Sequence, residues 1–494
     1  MSTQRAILLA AAGAGLIGAT PALADDLRDA LVSAYQTNPA LEAARAGQRA
    51  VDAAVPAARA AGLPSLGGTG SYTEFLKKSG SSSTAPDRAL DLGASLSVPV
   101  YSGGAVKNAV RAAETRVSAG LADLRATESG LFAQVVGAYL DVIRDAAIVG
   151  LNRNNVQVLD VNLTATRDRF EIGDLTRTDV AQSQARLAQA RSDLRTAEAT
   201  LAGSRENYIR LVGKAPANLQ PPPPLPNLPA SAEDAVETAF DSNPDLIAAR
   251  QRSKAAGFDS EAAGAGRLPR ISVFSGAAYT NYLDTLGGAP GASVAQHTTE
   301  AQAGVRATIP LFQGGLPAAQ QRQAQARESA TLEQEIGTER EVIATVRTYF
   351  QQWKAANDVI ASSQTAVDAA ALGLEGVRAE NSVGNRTILD ILNAEQELLN
   401  AQVILVRARR NAYVAGFNLL AAMGKAEARD LGLDGGILYD PTVNYARVRG
   451  DVFDWSRDPA PVARSTRTVD TPVQDGSVST SDAAASGVMN QSGK

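Results

Sequence analysis

The chain contains no cysteine and only one histidine, His297, among its 494 residues. These absences exclude cysteine nucleophiles, zinc sites built on Cys or His, iron–sulfur clusters and any Ser-His-Asp triad that does not use His297. Aromatic residues make up 5% of the chain, which leaves little of the bulk that fills a conventional α/β enzyme core. The net charge of −5 is mild and does not indicate a nucleic-acid-binding protein. The composition favours a helical, alanine-rich scaffold over an enzyme.

The first 24 residues have the pattern of a secretory signal peptide. Arg5 supplies the positive start, residues 6–19 form a short apolar run, and Ala22-Leu23-Ala24 is a cleavage motif. We therefore expect cleavage after Ala24 and export of the mature chain from the cytoplasm. Beyond this segment the sequence has no run of 18 apolar residues, so we expect no transmembrane helix.

The rest of the chain is an internal duplication. Asn38-Pro39 recurs as Asn243-Pro244, and several later features recur 211 residues on. Those features are the strand exits Pro99-Val100-Tyr101-Ser102-Gly103-Gly104 and Pro310-Leu311-Phe312-Gln313-Gly314-Gly315, the glycines Gly173 and Gly384, and the acids Asp179 and Asp390. Such a repeat predicts two copies of one structural unit.

The duplication divides the chain into five parts. We expect a signal peptide (1–24), a first repeat (25–215), a proline-rich linker (216–230), a second repeat (231–426) and a periplasmic C-terminal segment (427–494). The linker is expected to be extended because it holds seven prolines between positions 216 and 229. The C-terminal segment is rich in Ser, Thr, Asp and Gly, which predicts disorder from about residue 460.

Each repeat is predicted as helix, strand, strand, long helix and helix. We expect strands at about 65–75, 89–100, 270–282 and 299–312. Within them apolar and polar residues alternate, as in the run from Leu90 to Val98. The length of about ten residues matches a transmembrane β-strand, although a soluble sandwich strand fits the alternation equally well.

The long helices are the strongest pattern in the sequence. Residues 104–173 and 315–384 are almost free of proline, and apolar residues recur every seven positions from Val135 to Phe170. A helix of this length is roughly 100 Å long. The returning helix and the first helix of each repeat are shorter and are expected to flank it end to end.

Four strands per chain are too few to close a barrel, and an open sheet edge is not tolerated in lipid. The chain must therefore supply strands to an oligomer or lie outside the membrane. This arithmetic alone permits a dimer or a trimer.

The ordered, duplicated motifs resemble the TolC family of outer-membrane channel-tunnels over about residues 25–425. The resemblance rests on the Asn-Pro helix, the Leu-Pro strand entry, the two strand exits and the two helical turns. It implies a mostly α fold with long coiled-coil hairpins and four strands per chain, forming a homotrimer with a twelve-stranded barrel in outer-membrane lipid and a twelve-helix periplasmic barrel. It also implies a passive duct for drug efflux or type I protein secretion. The partners would be a periplasmic adaptor and an inner-membrane ABC or proton-driven pump.

The same resemblance assigns roles to residues near the two helical turns. The turns lie at the periplasmic tip, where partner proteins dock, and comprise Gly173, Asp174, Gly384, Asn385 and Thr387. An entrance ring is expected from Asp390, with Asn393 as an uncharged second ring. Links that keep the tip closed are expected from Thr178, Asp179 and Arg386.

Two other functional classes remain to be weighed against the duct. A non-transporting coiled-coil protein of the periplasm would explain the helices, but not the strands with one apolar face. An enzyme would need a convergent nucleophile, base and acid, and we find none in the sequence. We therefore expect no catalytic residue, cofactor, metal ligand or nucleic-acid partner. The cargo, drug or secreted protein, is left open.

Overall fold

The computed structural model describes residues 26–77, 85–287, 293–433 and 438–478. The predicted signal peptide lies outside these residues. Among the helices within them, none is long and apolar enough to cross a membrane.

The secondary-structure elements occur in the same order in both repeats. The first repeat consists of α1 (Leu27–Thr37), α2 (Pro39–Ala60), β1 (Ser65–Glu74), β2 (Arg88–Tyr101), α3 (Ala105–Glu171) and α4 (Arg177–Val212). The second consists of α5 (Ala232–Ser242), α6 (Pro244–Gly264), β3 (Arg270–Asn281), β4 (His297–Thr308), α7 (Leu316–Ser382) and α8 (Ile388–Ala422), with a 3₁₀ turn at Ala265–Arg267. A short helix, α9 (Thr442–Val448), follows. The predicted mostly helical fold with four strands is confirmed.

The first helix of each repeat is broken, where the sequence predicts one continuous helix. Asn38 has an extended backbone, and its side chain caps α2 by accepting from the Ala40 N–H at 2.9 Å. The following proline starts α2 at a position where its missing N–H costs nothing. Asn243 ends α5 and caps α6 in the same way. Each asparagine also donates to the end of the returning helix, Asn38 to the Leu211 carbonyl at 2.9 Å and Asn243 to the Ala422 carbonyl at 2.8 Å.

The four strands form one antiparallel sheet in the order β1-β2-β3-β4, so the two repeats join at the β2–β3 pair. β4 ends at Thr308 rather than at residue 312, because Pro310 has no N–H to extend the ladder. In the described chain, β1 and β4 each pair on one side only. The sheet therefore ends in two edges that carry unpaired backbone groups.

The two faces of this sheet differ in polarity along all four strands. On one face, Leu66 lies opposite Leu96, and Val98, Val273 and Val305 form a row across three strands. On the other face, Thr280 donates to Asp91 at 2.7 Å, and the Arg306 guanidinium lies 4.7 Å from the centre of the Phe274 ring. The alternation predicted from the sequence thus produces one apolar and one polar surface.

The helices pack around α3, which contacts α2, α4, α6 and α8. Its heptad positions Val135, Val142, Val149 and Leu163 are buried, in agreement with the predicted coiled-coil seam. α7 has the same 67-residue length but is much less covered. Within the described chain it buries Val342, Val346, Phe350, Ser363 and Leu374. Much of α7 therefore faces outward in the isolated chain.

The C-terminal segment lies against the helices as far as it is described. The Arg205 guanidinium donates to the Asp475 carbonyl at 2.8 Å, and the Gln474 N–H donates to Glu206 at 3.0 Å. Val478 packs on the main hydrophobic cluster. These contacts hold residues 474–478 against α4 and the main hydrophobic cluster, and the local composition does not reveal them. The disorder expected from about residue 460 stays a prediction. Residues 479–494 lie outside the described chain.

Candidate functional site at the helical tip

The first helical turn joins α3 to α4 through a left-handed glycine. Gly173 has φ of +86°, a conformation that favours glycine because it has no Cβ. The Gly173 N–H donates to the Phe170 carbonyl at 3.0 Å, and the Asp174 N–H donates to the Arg169 carbonyl at 2.9 Å. These bonds satisfy the last carbonyls of α3 and end it sharply.

The second turn, between α7 and α8, repeats this construction. Gly384 has φ of +84°, and its N–H donates to the Asn381 carbonyl at 3.0 Å. The Asn385 N–H donates to the Glu380 carbonyl, also at 3.0 Å. The two turns are therefore equivalent in backbone and differ in the side chains that they present.

Both returning helices begin with a capping box that the sequence analysis did not identify. The Asp390 carboxylate accepts from the Thr387 N–H at 2.9 Å, and the Thr387 hydroxyl accepts from the Asp390 N–H at 3.3 Å. Thr176 and Asp179 make the same pair of bonds at the start of α4. A threonine followed three residues later by an acid is the signal that would have found both boxes.

The Asp390 carboxylate accepts hydrogen bonds from the Thr387 N–H and, at 2.8 Å, from the Thr387 hydroxyl, and these two bonds, the first more than the second, hold the pKa of Asp390 below its usual value. The pKa of Asp179 is lowered for the same reason, by hydrogen bonds from the N–H and the hydroxyl of Thr176. Because both pKa values are depressed in the folded state, the two carboxylates stabilise the fold. Their contribution is complete above the usual carboxyl pKa and is lost as the pH falls through the lowered pKa of the folded state. Both carboxylates are therefore charged at neutral pH.

Each turn also has an exposed ion pair, and the two pairs differ. Arg169 pairs with Asp174 at 2.6 Å in the first turn. In the second turn, the Arg386 Nε donates to Glu380 at 2.7 Å, and this partner raises the pKa of the arginine. The structure therefore pairs Arg386 within its own turn and does not bring it to Asp179 in the single chain.

The two hairpins meet just above the turns. Leu392 of α8 is buried in a cluster with Leu159, Leu163, Leu187 and Ala190 from α3 and α4. One residue further on, Asn393 accepts from Arg186 of α4 at 2.8 Å. The predicted second-ring residue thus links the hairpins through its side chain, a contact that the sequence did not suggest.

The tip consequently presents charge rather than a reaction centre. Thr178 is exposed on the first turn of α4, while Asp179 and Asp390 are half-buried at the start of their helices. In the described part of the chain, no group of three or more His, Cys, Asp and Glu residues is arranged to hold a metal ion. Fixed carboxylates and guanidinium groups at the end of a long hairpin are suited to attracting ions and to docking another protein.

Replacing Thr387 with alanine is expected to destabilise the first turn of α8 by about 1 kcal/mol, typical of a lost threonine cap. Amide hydrogen exchange at residues 388–391 should become faster. As a control, Thr178→Ala removes an exposed threonine from the first turn of α4 that is not its helix cap, and it should leave exchange in α4 unchanged. Equal effects of the two substitutions would contradict the capping role.

Comparison with known proteins places this architecture in a family. The outer membrane efflux protein family matches residues 30–214 and 235–425, well over half of the chain. The outer membrane efflux protein BepC of Brucella suis is 34% identical over 440 residues, which cover 87% of this chain and 92% of BepC. The outer membrane protein TolC of Vibrio cholerae is 26% identical over 413 residues, covering 83% of this chain and 92% of TolC.

The fold is also that of a solved outer membrane channel, CmeC of Campylobacter jejuni. The two structures superpose with a TM-score of 0.72 at 16% identity, over 86% of this chain and 89% of CmeC. The matched regions of the family include both repeats, both helical turns and all four strands. The resemblance read from the sequence motifs is confirmed, and the chain belongs to the outer membrane efflux protein family.

Proposed function

We propose that three copies of this chain form a channel-tunnel that is the passive exit duct of a tripartite export system. The observation that carries the proposal is the four-stranded sheet with one apolar face and two open edges. In lipid such edges must be paired, and pairing β4 of one copy with β1 of the next satisfies both. The apolar face would then contact lipid and the polar face would line the lumen.

Three copies suit a duct better than two. Two copies would give eight strands, and the interior of an eight-stranded barrel is filled by its own side chains or holds at most one small ligand, so it leaves no open passage. Three copies give twelve strands and leave room for cargo. The outward-facing surface of α7 supports the same conclusion, because neighbouring copies would cover it in a barrel of helices.

The helical arms would extend roughly 100 Å from the membrane into the periplasm. At their tips, Gly173, Asp174, Gly384, Asn385 and Thr387 would form the surface that docks a periplasmic adaptor and an inner-membrane pump. The pump, of the ABC or proton-driven type, would supply the energy. The name of BepC refers to efflux, which favours an efflux pump over type I protein secretion as the partner system.

The test is to purify the full chain from outer membranes and to measure three properties. We expect trimers that dissociate only on heating, ion conductance in planar bilayers, and co-purification of an adaptor protein. A non-transporting coiled-coil protein of the periplasm is the alternative, and it would give extractable chains without conductance. That result would overturn the proposal.

Asp390 is proposed to form an acidic ring at the tunnel entrance, since a ring of carboxylates favours cations. Asp390→Asn removes the charge but keeps an oxygen that can accept from the Thr387 N–H. We expect lower cation selectivity and weaker block by a trivalent metal ion in planar bilayers. Asn393→Asp should strengthen the block by adding a second acidic layer.

Asp174→Asn is the control, because it removes one carboxylate charge from the first turn, where Asp174 pairs with Arg169. It should leave the reversal potential in a salt gradient unchanged. An unchanged reversal potential in Asp390→Asn would rule out the ring.

A further inference from the structure

A loop at residues 449–458, here called the rim loop, exposes large apolar side chains. Trp455 is 75% exposed, and Val452 and Phe453 are each 67% exposed. Apolar side chains grouped in this way on a folded surface indicate a contact with another apolar phase. The C-terminal segment that carries them has no part in the duct as proposed above.

The rim loop lies at the end of the sheet where the helices begin. A groove of about 750 Å³ separates it from the α2–β1 junction, with Leu63 and Leu66 on one side and Val452 and Phe453 on the other. Leu66 lies on the apolar face of the sheet and is 79% exposed. The loop therefore continues the apolar face just beyond the first residues of β1.

Other strand ends at this level are also apolar and exposed. They are Val100 and Tyr101 at the end of β2, and Ile309, Leu311 and Phe312 after β4. Aromatic and apolar residues in such a band are typical of the boundary between a bilayer and water. The rim loop extends this band below β1.

The loop is held in shape before it meets any ligand. Arg447 donates to both carboxylate oxygens of Asp458, at 2.7 and 3.0 Å, and so closes the loop. Inside it, the Ser456 N–H donates to the Phe453 carbonyl at 2.9 Å, and the Phe453 N–H donates to Asp451 at 3.1 Å. A preformed loop loses little conformational entropy on binding.

The adjoining helix α9 fixes the loop to α2. The Arg59 guanidinium donates to the Arg449 carbonyl at 2.8 Å, and the Asn444 amide donates to Asp52 at 2.7 Å. Upstream of α9, the buried guanidinium of Arg45 lies 4.9 Å from the centre of the Tyr439 ring. These contacts make the position of the loop beside the sheet a property of the fold.

We propose that the rim loop binds the phospholipid surface of the periplasmic leaflet, with Val452, Phe453 and Trp455 inserted at the level of the headgroups. This inference rests on the proposed function, because it requires the apolar face of the sheet to lie in lipid. Together with Arg447, which pairs with Asp458, the exposed charges of the loop are balanced: three arginines (Arg447, Arg449, Arg457) stand against three aspartates (Asp451, Asp454, Asp458). Balanced charge fits a zwitterionic headgroup, which carries both a phosphate and an amine.

The chain has two tryptophans, which allows a direct test. Trp353→Phe leaves Trp455 as the single fluorophore, and Trp455→Phe leaves Trp353, which lies on α7 roughly 55 Å along the helix from the sheet. Both variants are reconstituted as full chains in phosphatidylcholine vesicles with or without bromine on the acyl chains. We expect brominated lipid to remove most of the Trp455 emission and to leave Trp353 unchanged.

Two results would overturn the inference. Quenching of Trp455 by aqueous iodide but not by brominated lipid would place the loop in water. Resistance to both quenchers would mean that protein, such as a second copy, covers it. Conductance of the same preparation is measured in parallel. Conducting trimers with unquenched Trp455 would contradict only the lipid contact of the rim loop. Non-conducting chains with quenched Trp455 would contradict only the proposed duct.

A second measurement tests the same inference without the Trp353→Phe substitution, in case that variant does not fold. The chain has no cysteine, so Val452→Cys in the otherwise natural protein accepts a single polarity-sensitive fluorophore. Its emission should shift to the blue on reconstitution into phosphatidylcholine vesicles. Val443→Cys, also exposed but on α9, is the control and should not shift. Equal emission from the two sites in vesicles would contradict lipid binding.

Discussion

An arginine at Leu92, Leu96 or Val305 is expected to cost about 2–4 kcal/mol of barrel stability near the middle of the membrane. These residues lie on the apolar face of the sheet, where Leu96 faces Leu66 across β1 and Val305 faces Val273 across β3. A guanidinium at these positions would have to be buried in hydrocarbon. In a trimer each substitution occurs three times, so assembly in the outer membrane should fall sharply.

The matched controls are arginines on the opposite face of the same strands. Ser95 and Gln302 both lie opposite Gly276, which leaves space for a long side chain. Ser95→Arg and Gln302→Arg should assemble normally, since their charge would be in the aqueous lumen. Heat-dissociable trimers in outer-membrane fractions provide the measurement. Equal damage from both sets of substitutions would contradict the transmembrane role of the sheet.

Removal of the Arg386 side chain is expected to raise single-channel conductance and to admit large antibiotics, while trimers still assemble. In one chain the pair between Arg386 and Glu380 is exposed, and an exposed pair contributes little. In the proposed trimer, however, three tips would converge, and we expect each Arg386 to reach Asp179 of an adjacent hairpin. Three such links acting together would shift the closed-to-open ratio by about tenfold to a hundredfold.

The variant Glu380→Gln distinguishes a gating role of Arg386 from that of an ordinary surface ion pair. It releases Arg386 from its own turn but keeps the guanidinium, so conductance should stay at or below that of the natural protein. Asp179→Asn should raise conductance as Arg386→Ala does, and high salt should partly mimic both. If Arg386→Ala assembles and conducts like the natural protein at low salt, the residue has no gating role.

Much of this architecture could be predicted from the sequence because it depends on local patterns. The alternation from Leu90 to Val98 is sufficient to assign one apolar face to a strand, and the heptads from Val135 to Leu163 predict a long helix with a buried seam. Gly173 and Gly384 mark the turns because a positive φ favours glycine. Because the chain is duplicated, each of these patterns occurs twice, and each copy supports the assignment of the other. What the sequence determined by itself is therefore the protomer: its repeats, its strands and its helical arms.

The tertiary structure alone decided which side chains meet. Arg386 has several carboxylates within a few residues, and only the fold selects Glu380. Asn393 meets Arg186, which is 207 positions away in the chain. The C-terminal segment shows no helical or strand pattern, yet the Arg449 carbonyl accepts from Arg59 of α2 and the Asp475 carbonyl accepts from Arg205 of α4. Such contacts depend on the relative positions of distant elements, which no local pattern of residues specifies.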